Sequence, residues 1–386
     1  MTATWEIRQG DALERLREMP DESVQCCVTS PPYFGLRDYG LPPSVWGESQ
    51  ECDHEWGTEI VNRKGGVGQN KGLTNPPDSG YRQARDTDAQ VLGQGAFCRR
   101  CGAWRGCLGL EPTPELFVTH LVEVLGEVRR TLRDDGTLWL NLGDTYANRA
   151  NAAAGVSGRG DRARVLPPRQ NTVANGIKQK DLIGIPWMVA FALRADGWWL
   201  RSEIIWHKRN GLPGGGRVVS KPDRFHEHIF LLAKSDRYYY DADAIREDSD
   251  PEQEAHNERY AREYDAATTN ADSRQPGAVN HVGIHSRPGK SGRNKRSVWR
   301  VSTNRLSHAH FATFPPTLIE PCILAGSRKG DLVLDPFSGA ATTGLVSIRH
   351  GRSFVGLELN PEYVELGRQR IRDDAPLMNY VTEAVA

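Results

Sequence analysis

Thr29-Ser30-Pro31-Pro32-Tyr33 combines a hydroxyl, two prolines and an aromatic ring in five residues. Consecutive prolines fix the backbone and remove two N–H donors, which leaves the carbonyls of the turn open as acceptors. An amino group on a planar ring presents two N–H donors. The Ser30 hydroxyl and the Pro31 carbonyl are suited to receive them and to aim the nitrogen lone pair at an electrophile, while Tyr33 offers a face for the ring. In isolation the same residues make only a rigid turn.

A second group is Asp335-Pro336-Phe337-Ser338-Gly339-Ala340-Ala341-Thr342-Thr343-Gly344. It follows the apolar run Leu332-Val333-Leu334 and opens a helical pattern, so small residues let backbone N–H groups approach a ligand at a helix start. About 20 residues further on, Glu358 ends the next apolar run, where an acid can take both hydroxyls of a ribose. This is a general nucleotide-binding layout. It leaves a dinucleotide and S-adenosylmethionine both open, although the absence of G-x-G-x-x-G weakens the NAD oxidoreductase reading.

The third group is Cys98-Arg-Arg-Cys101-Gly102 with Cys52-Asp-His54 upstream. Four Cys and His ligands at this spacing suit a tetrahedral structural zinc ion, with Cys107 as a competing ligand. The segment around them is long and polar, and a metal would supply cohesion that its apolar content cannot. Seven cysteines without a secretory leader argue against a disulfide framework, and Cys26, Cys27 and Cys322 read as small core side chains. His120, His207, His226, His308 and His310 are scattered and read as structural.

The elements needed to position these groups are those of an α/β sheet. Trp5-Glu6-Ile7 predicts a strand, Gly10-Asp11 the turn into a helix carrying Ala12, Leu13 and Leu16, and Val24 to Val28 a buried strand that delivers Ser30. Thr113-Pro114 is an N-cap followed by proline at the first helical position, and Phe117, Leu121, Leu125, Val128 and Leu132 continue that helix to Asp135-Gly136. Strands follow at Thr137–Leu142, Trp198–His207 and Ser353–Leu357, with helices at Leu182–Ala195, around Leu318–Ala325 and from about Thr342. Ile229–Lys234 and Tyr238–Asp241 around Ser235-Asp236-Arg237 read as a hairpin.

Net charge is zero over 386 residues, but its distribution is uneven. No acid stands between Asp272 and Glu320, where Arg274, Arg287, Lys290, Arg293, Lys295, Arg296, Arg300 and Arg305 all fall. Arg149, Arg159, Arg162, Arg164, Arg169, Lys178 and Lys180 face the single acid Asp161. Such local excess is what phosphate neutralisation needs. No apolar run approaches the roughly 20 residues of a bilayer span, and the N-terminus has no apolar leader core, so a cytoplasmic protein without a membrane partner is expected.

Taken together these motifs resemble the beta-class, circularly permuted DNA amino-methyltransferases, in which the catalytic motif comes first, the target-recognition region next and the cofactor motif last. Gly10-Asp11 resembles the acid that contacts the cofactor adenine, and Phe311-Ala312-Thr313-Phe314-Pro315-Pro316 the segment that closes over the methionine moiety. Trp139–Asp144 and Ile204–Lys208 resemble the later strands of the catalytic half, and His226–Phe230 with Tyr238–Asp241 the hairpin before the recognition region. The resemblance implies a Rossmann-like α/β fold with a mixed, mostly parallel seven-stranded sheet, carrying inserted zinc-binding and target-recognition regions. Core would then occupy residues 1–46, 111–146 and 181–242, with a zinc-binding insertion at 47–110 and a basic insertion at 147–180. The target-recognition region would span 243–305 and the cofactor half 306–386.

It also implies S-adenosylmethionine held by Asp11, Thr313, Pro315, Asp335, Pro336, Phe337, Ser338, Gly339, Thr342, Thr343 and Glu358, with Ser30, Pro31, Pro32 and Tyr33 catalytic. The partner would be double-stranded DNA with the target base flipped out, since that base is unreachable inside a duplex, alongside a cognate restriction endonuclease. Ser rather than Asp at the head of the motif leans toward cytosine N4 over adenine N6. An RNA methyltransferase and a DNA-binding module without turnover are the competing readings. The long basic insertions argue for DNA, and the intact Ser30, Tyr33, Asp335 and Glu358 argue for turnover. Cytosine C5 chemistry needs a cysteine thiolate, and this loop has none.

Overall fold

The computed structural model describes residues 3–35, 41–47, 52–58, 60–63, 91–147, 181–211, 224–248, 292–303 and 313–374, with a few short pieces between them. Most of the basic stretch 147–180, most of 243–305 and the pair Phe311-Ala312 lie outside the described residues.

The chain opens with β1 (Thr4–Gln9), α1 (Ala12–Arg17) and β2 (Val24–Thr29), the last buried along its whole length. Asp11 caps α1 by accepting from Leu13 and Glu14 N–H, which settles two of the helix's orphan donors. A small sheet follows from β3 (Ser44–Trp46), β4 (Ile60–Arg63), β5 (Val91–Phe97) and β6 (Trp104–Gly106), in the order β3-β6-β5-β4. It takes in Ser44–Trp46, just ahead of the expected start of the insertion.

The longest helix is α2 (Pro114–Thr131), capped by Thr113 with proline in its first turn and buried along Phe117, Leu121, Leu125 and Val128. It ends earlier than expected because the chain goes extended at Leu132, so β7 runs Leu132–Leu142. Two short pieces, β8 (Val156–Ser157) and β9 (Arg164–Val165), pair with each other. Then come α3 (Ile185–Ala195), β10 (Trp199–Lys208), β11 (His226–Ala233) and β12 (Val298–Val301). The chain closes with α4 (Pro316–Gly326), β13 (Leu332–Asp335), α5 (Thr342–Arg349), β14 (Ser353–Glu358), α6 (Pro361–Asp374) and β15 (Thr382–Glu383).

The main sheet has the order β12-β10-β11-β7-β2-β13-β14-β1-β15. The seven strands from β10 to β1 are the expected mixed, mostly parallel core, and β12 and β15 extend it at the two edges. Only β11 runs against its neighbours. Leu121, Leu125, Val189 and Leu193 from α2 and α3 fill one face, while Ile319, Ile323, Val346 and Ile371 from α4, α5 and α6 fill the other. The result is a three-layer α/β/α domain.

The expected hairpin at Tyr238–Asp241 is not formed. Tyr238–Tyr240 form no strand of their own. Tyr239 N–H donates to Asp135 O and Asp241 N–H to Ala325 O, so the tyrosines close the lower edge of the sheet instead. Antiparallel partnership falls to β10 and β11, joined from Trp199↔Ala233 to His207↔His226. Among the described residues, no helix is long and apolar enough to cross a membrane.

Candidate active site

Ligand sites in open α/β sheets form beyond the carboxyl ends of the strands. Here that edge collects Gly10 after β1, Ser30 after β2, Gly143 after β7, Pro336 after β13 and Glu358 at the end of β14. Because β11 is antiparallel, its first residues His226 and Glu227 reach the same edge, and so does Lys208 at the end of β10. These residues line one cavity of about 560 Å³. A volume of this size suits a cofactor-sized ligand.

On the glycine-turn side, Glu358 accepts from Gly339 N–H (2.8 Å) through Oε2 and from Asn360 N–H (2.7 Å) through Oε1. Its carboxyl lies above the usual range because burial disfavours the charge, although both N–H groups oppose this. Gly339 and Ala341 both sit in the left-handed region, at φ 51° and 54°. Alanine at the second position therefore carries backbone strain that glycine would not, of about 1 kcal/mol. The Ser338 hydroxyl lines the cavity and is buried without a hydrogen-bond partner. A half-buried acid beside backbone donors and an orphaned hydroxyl fits a ribose-bearing ligand such as S-adenosylmethionine.

Asp335 lines the cavity and has a second task as well. Its Oδ1 accepts from the Thr29 hydroxyl (2.6 Å) and Phe337 N–H (3.1 Å), and its Oδ2 from the Thr343 hydroxyl (2.7 Å). Burial pushes this carboxyl up to about 6. It ties the catalytic strand to the cofactor turn, and Thr343 serves Asp335 rather than the cavity wall. Asp11, Thr313, Pro336, Phe337 and Thr342 line the cavity, and Pro315 is the residue before α4. Asp11 Oδ2 accepts from the Ser44 hydroxyl (2.6 Å), so the insertion supplies part of the wall.

On the other side, the Ser30 hydroxyl donates to the Tyr33 hydroxyl (3.2 Å), and Tyr33 donates to Glu227 Oε2 (2.7 Å). Asn141 Nδ2 donates to the Tyr33 oxygen (2.8 Å) and to Glu227 Oε2 (3.0 Å), while Lys208 pairs with Glu227 Oε1. The Tyr33 ring rests on Gly143, where an added Cβ would lie 2.6 Å from the ring. Asp144 Oδ1 accepts from Gly184 (2.9 Å) and Ile185 (3.0 Å) N–H and so caps α3 across the site. Asn141, Gly143, Lys208 and Glu227 were not singled out by sequence reasoning. The available signal was a charge at the end of each apolar strand, Lys208 closing β10 and Glu227 opening β11.

Cys52, His54, Cys98 and Cys101 come together, with all four ligand atoms within 4.8 Å of one another. Cys52 Sγ lies 3.9 Å from Cys98 Sγ, and Cys101 Sγ lies 3.5 Å from His54 Nδ1. A tetrahedral zinc ion sets about 3.8 Å between two thiolates and about 3.6 Å between thiolate and imidazole. Gly102 turns through φ 78° and returns its N–H to Cys98 O, while Arg100 N–H points at Cys98 Sγ (3.4 Å). Desolvation acts against the Cys98 thiolate, yet backbone donors and His54 bring that thiol down to about 5. Desolvation and the neighbouring sulfurs push Cys52 up to about 11. A cation would relieve that crowding. Cys107 stands apart, against Leu41 O, and lines the cavity.

The insertion is fastened to the catalytic half. His120 of α2 stacks between Trp46 (4.9 Å) and Trp104 (5.3 Å) and holds the buried Glu111 at 3.0 Å, a structural role as expected for it. Gly35 N–H donates to Gly109 O, and a Cβ on Gly109 would lie 3.2 Å from Pro32. The loop leaving the metal-type knuckle thus supports the catalytic turn. Part of the predicted phosphate-binding charge is committed internally, since Arg293 and Lys295 both pair with Glu247. Arg296 and Arg300 are exposed.

A nucleotide-type turn and a Ser-Pro-Pro-Tyr loop thus end adjacent strands of one sheet and face one cavity. The match to the family described as DNA methylase, of N6/N4 type, covers residues 24–369, and the chain belongs to that family of S-adenosylmethionine-dependent DNA methyltransferases. It is 37% identical over 368 residues to the Type II methyltransferase M.Cfr9I of Citrobacter freundii, covering 95% of this chain and 87% of that protein. It is 34% identical over 363 residues to the Type II methyltransferase M.SmaI of Serratia marcescens, covering 94% and 89%. Among solved structures, the cytosine-N4-specific PvuII DNA methyltransferase shares the fold, with a TM-score of 0.51 at 16% identity over 99% of this chain and 96% of that one.

Proposed function

We propose that the chain transfers a methyl group from S-adenosylmethionine to the exocyclic N4 of a cytosine flipped out of a specific double-stranded DNA sequence. The observation that carries this reading is the orientation of the Ser30 hydroxyl. It gives its own proton to Tyr33 and accepts from Asn141 Nδ2 (3.4 Å), which leaves one lone pair to accept from an amino group, with the Pro31 carbonyl as the second acceptor. The cofactor supplies an electrophilic methyl group. Glu358, Ser338 and the Gly339 turn would hold its nucleoside end, and Asp11 would face its adenine.

With both N–H bonds engaged, the amino lone pair is turned away from ring conjugation and toward the donor, which is positioning rather than deprotonation. Tyr33 supplies the stacking face for the flipped base. Serine at the head of the motif supports cytosine N4, as does the specificity in the name of the PvuII enzyme that shares the fold. The M.Cfr9I and M.SmaI names support a restriction-modification setting with a cognate endonuclease. Zinc is the proposed occupant of Cys52, His54, Cys98 and Cys101, because their spacing matches a tetrahedral site. Arg296, Arg300 and the basic stretches near them would position DNA phosphates.

Incubation with unmethylated genomic DNA and labelled S-adenosylmethionine, followed by single-molecule sequencing, tests the reading. Label confined to cytosines of one recognition sequence is expected. Label in RNA alone, or none in DNA, would overturn it.

A further inference from the structure

Beyond the methyl transfer itself lies the fate of a proton. An amino nitrogen that gains a methyl group still carries two hydrogens and a positive charge, and one hydrogen must leave for the neutral product to form. The residues touching the base, Ser30 and the Pro31 carbonyl, are not bases of useful strength. The structure places a carboxylate two hydrogen bonds behind Ser30. Ser30 Oγ donates to the Tyr33 oxygen (3.2 Å), and the Tyr33 hydroxyl donates to Glu227 Oε2 (2.7 Å). Both bonds run in the same direction, away from the base and toward Glu227. Asn141 Nδ2 touches the Tyr33 oxygen (2.8 Å) and Glu227 Oε2 (3.0 Å) and so fixes both ends of the second step. Lys208 holds the other carboxylate oxygen, which keeps Oε2 turned to the tyrosine.

We infer that Glu227 is the terminal acceptor of the proton released by the methylated amino group, reached through Ser30 and Tyr33. This rests on Ser30 receiving the amino group. As the N–C bond forms, the N–H bond breaks with its electron pair left on nitrogen, and the proton bonds to Ser30 Oγ, so the relay acts within the methyl-transfer step. The Ser30 proton passes to the Tyr33 oxygen, and the Tyr33 proton passes to Glu227 Oε2. Serine and tyrosine end neutral, the base ends neutral, and the carboxylate ends as a carboxylic acid facing the cavity, where solvent takes the proton. Glu227 therefore acts through two hydroxyls and positions them, without touching the base.

The test is Glu227→Gln, which preserves shape and an acceptor oxygen but cannot take a proton at that edge. Single-turnover methyl transfer is measured against pH in the full-length enzyme with a duplex oligonucleotide. Cofactor affinity and base flipping, read by 2-aminopurine fluorescence at the target, are measured beside it. Among the other titratable or charged groups lining the cavity are Lys208 from β10, Tyr33 from the catalytic turn, Asp144 after β7, and Arg224 and His226 leading into β11, with Asp335 and Glu358 on the glycine-turn side. All of them remain in the variant, so the ratio of wild type to variant isolates Glu227. We expect about a 10- to 100-fold loss near pH 7. The loss should shrink as pH rises and hydroxide accepts the proton instead, with cofactor affinity and flipping unchanged. Glu227→Asp should recover part of the rate. A loss below threefold, or one that is independent of pH, would overturn the inference. Absence of transfer by the wild-type enzyme would instead overturn the reading of the site on which it rests.

Discussion

Gly143→Ala is a one-methyl change whose effect follows from the geometry of the catalytic turn. The added Cβ would lie 2.6, 3.0 and 3.4 Å from Cε2, Cδ2 and Cζ of Tyr33. Carbon atoms rest at about 3.5–4.0 Å, so the ring must retreat by about 1 Å. Its hydroxyl would then lose the 2.7 Å bond to Glu227 and the 2.8 Å bond from Asn141. A 1 Å misplacement of a positioning group costs on the order of 100-fold in rate, or about 2.7 kcal/mol in the barrier. The glycine-turn side is not touched, so cofactor affinity should stay within about twofold. Steady-state methylation with labelled cofactor gives the turnover, and equilibrium binding of the cofactor gives the control. Turnover within about threefold of wild type would show that Tyr33 need not occupy the observed position. A matching loss of cofactor affinity would show that the change acts on the whole cavity.

Purified protein should hold close to one zinc per chain, and Cys98→Ser should hold none. Because Gly109 supports Pro32 and Ser44 bonds Asp11, metal removal should also weaken cofactor binding by roughly tenfold; near-zero zinc by elemental analysis, or unaltered cofactor affinity after chelation, would contradict this. Asp335 has its carboxyl raised by burial from 3.8 to about 6, so between those values the folded state holds a proton that the unfolded chain has released. Its contribution is thus present below about pH 4 and is lost as pH rises through about 6, a change of up to about 3 kcal/mol. Urea unfolding of Asp335→Asn should show that fall flattened, and an unchanged pH slope would refute the assignment.

The parts of the site that lie within one short segment were legible in the residues. Ser30–Tyr33, the turn from Asp335 and the Cys98–Cys101 knuckle each carry their chemistry within a few neighbouring positions, and the first two stand at the ends of expected strands. Glu227, Asn141 and Lys208 were hidden because their meeting depends on β11 running antiparallel between β7 and β10. Which end of a strand reaches the site is a matter of pairing, and periodicity does not state it. The tyrosines at 238–240 show the converse. Their strand preference is strong, but no partner edge is left for them once β10 pairs with β11, so they cover Asp135 and Ala325 instead. Asp335 was read as a cofactor contact from its place before the glycine turn. Its three hydrogen bonds to Thr29, Phe337 and Thr343 could be found only once β2 and β13 were adjacent.

Ser30 and Pro31 are proposed to present an exocyclic amino group of cytosine to the methyl donor. Enzymatic digestion of DNA modified by the protein, with mass spectrometry of the nucleosides, checks this. N4-methyldeoxycytidine from the wild type, with Ser30→Ala reduced by about tenfold or more, is the predicted result. N6-methyldeoxyadenosine would contradict the base assignment, and undiminished product from Ser30→Ala would contradict the role given to the hydroxyl.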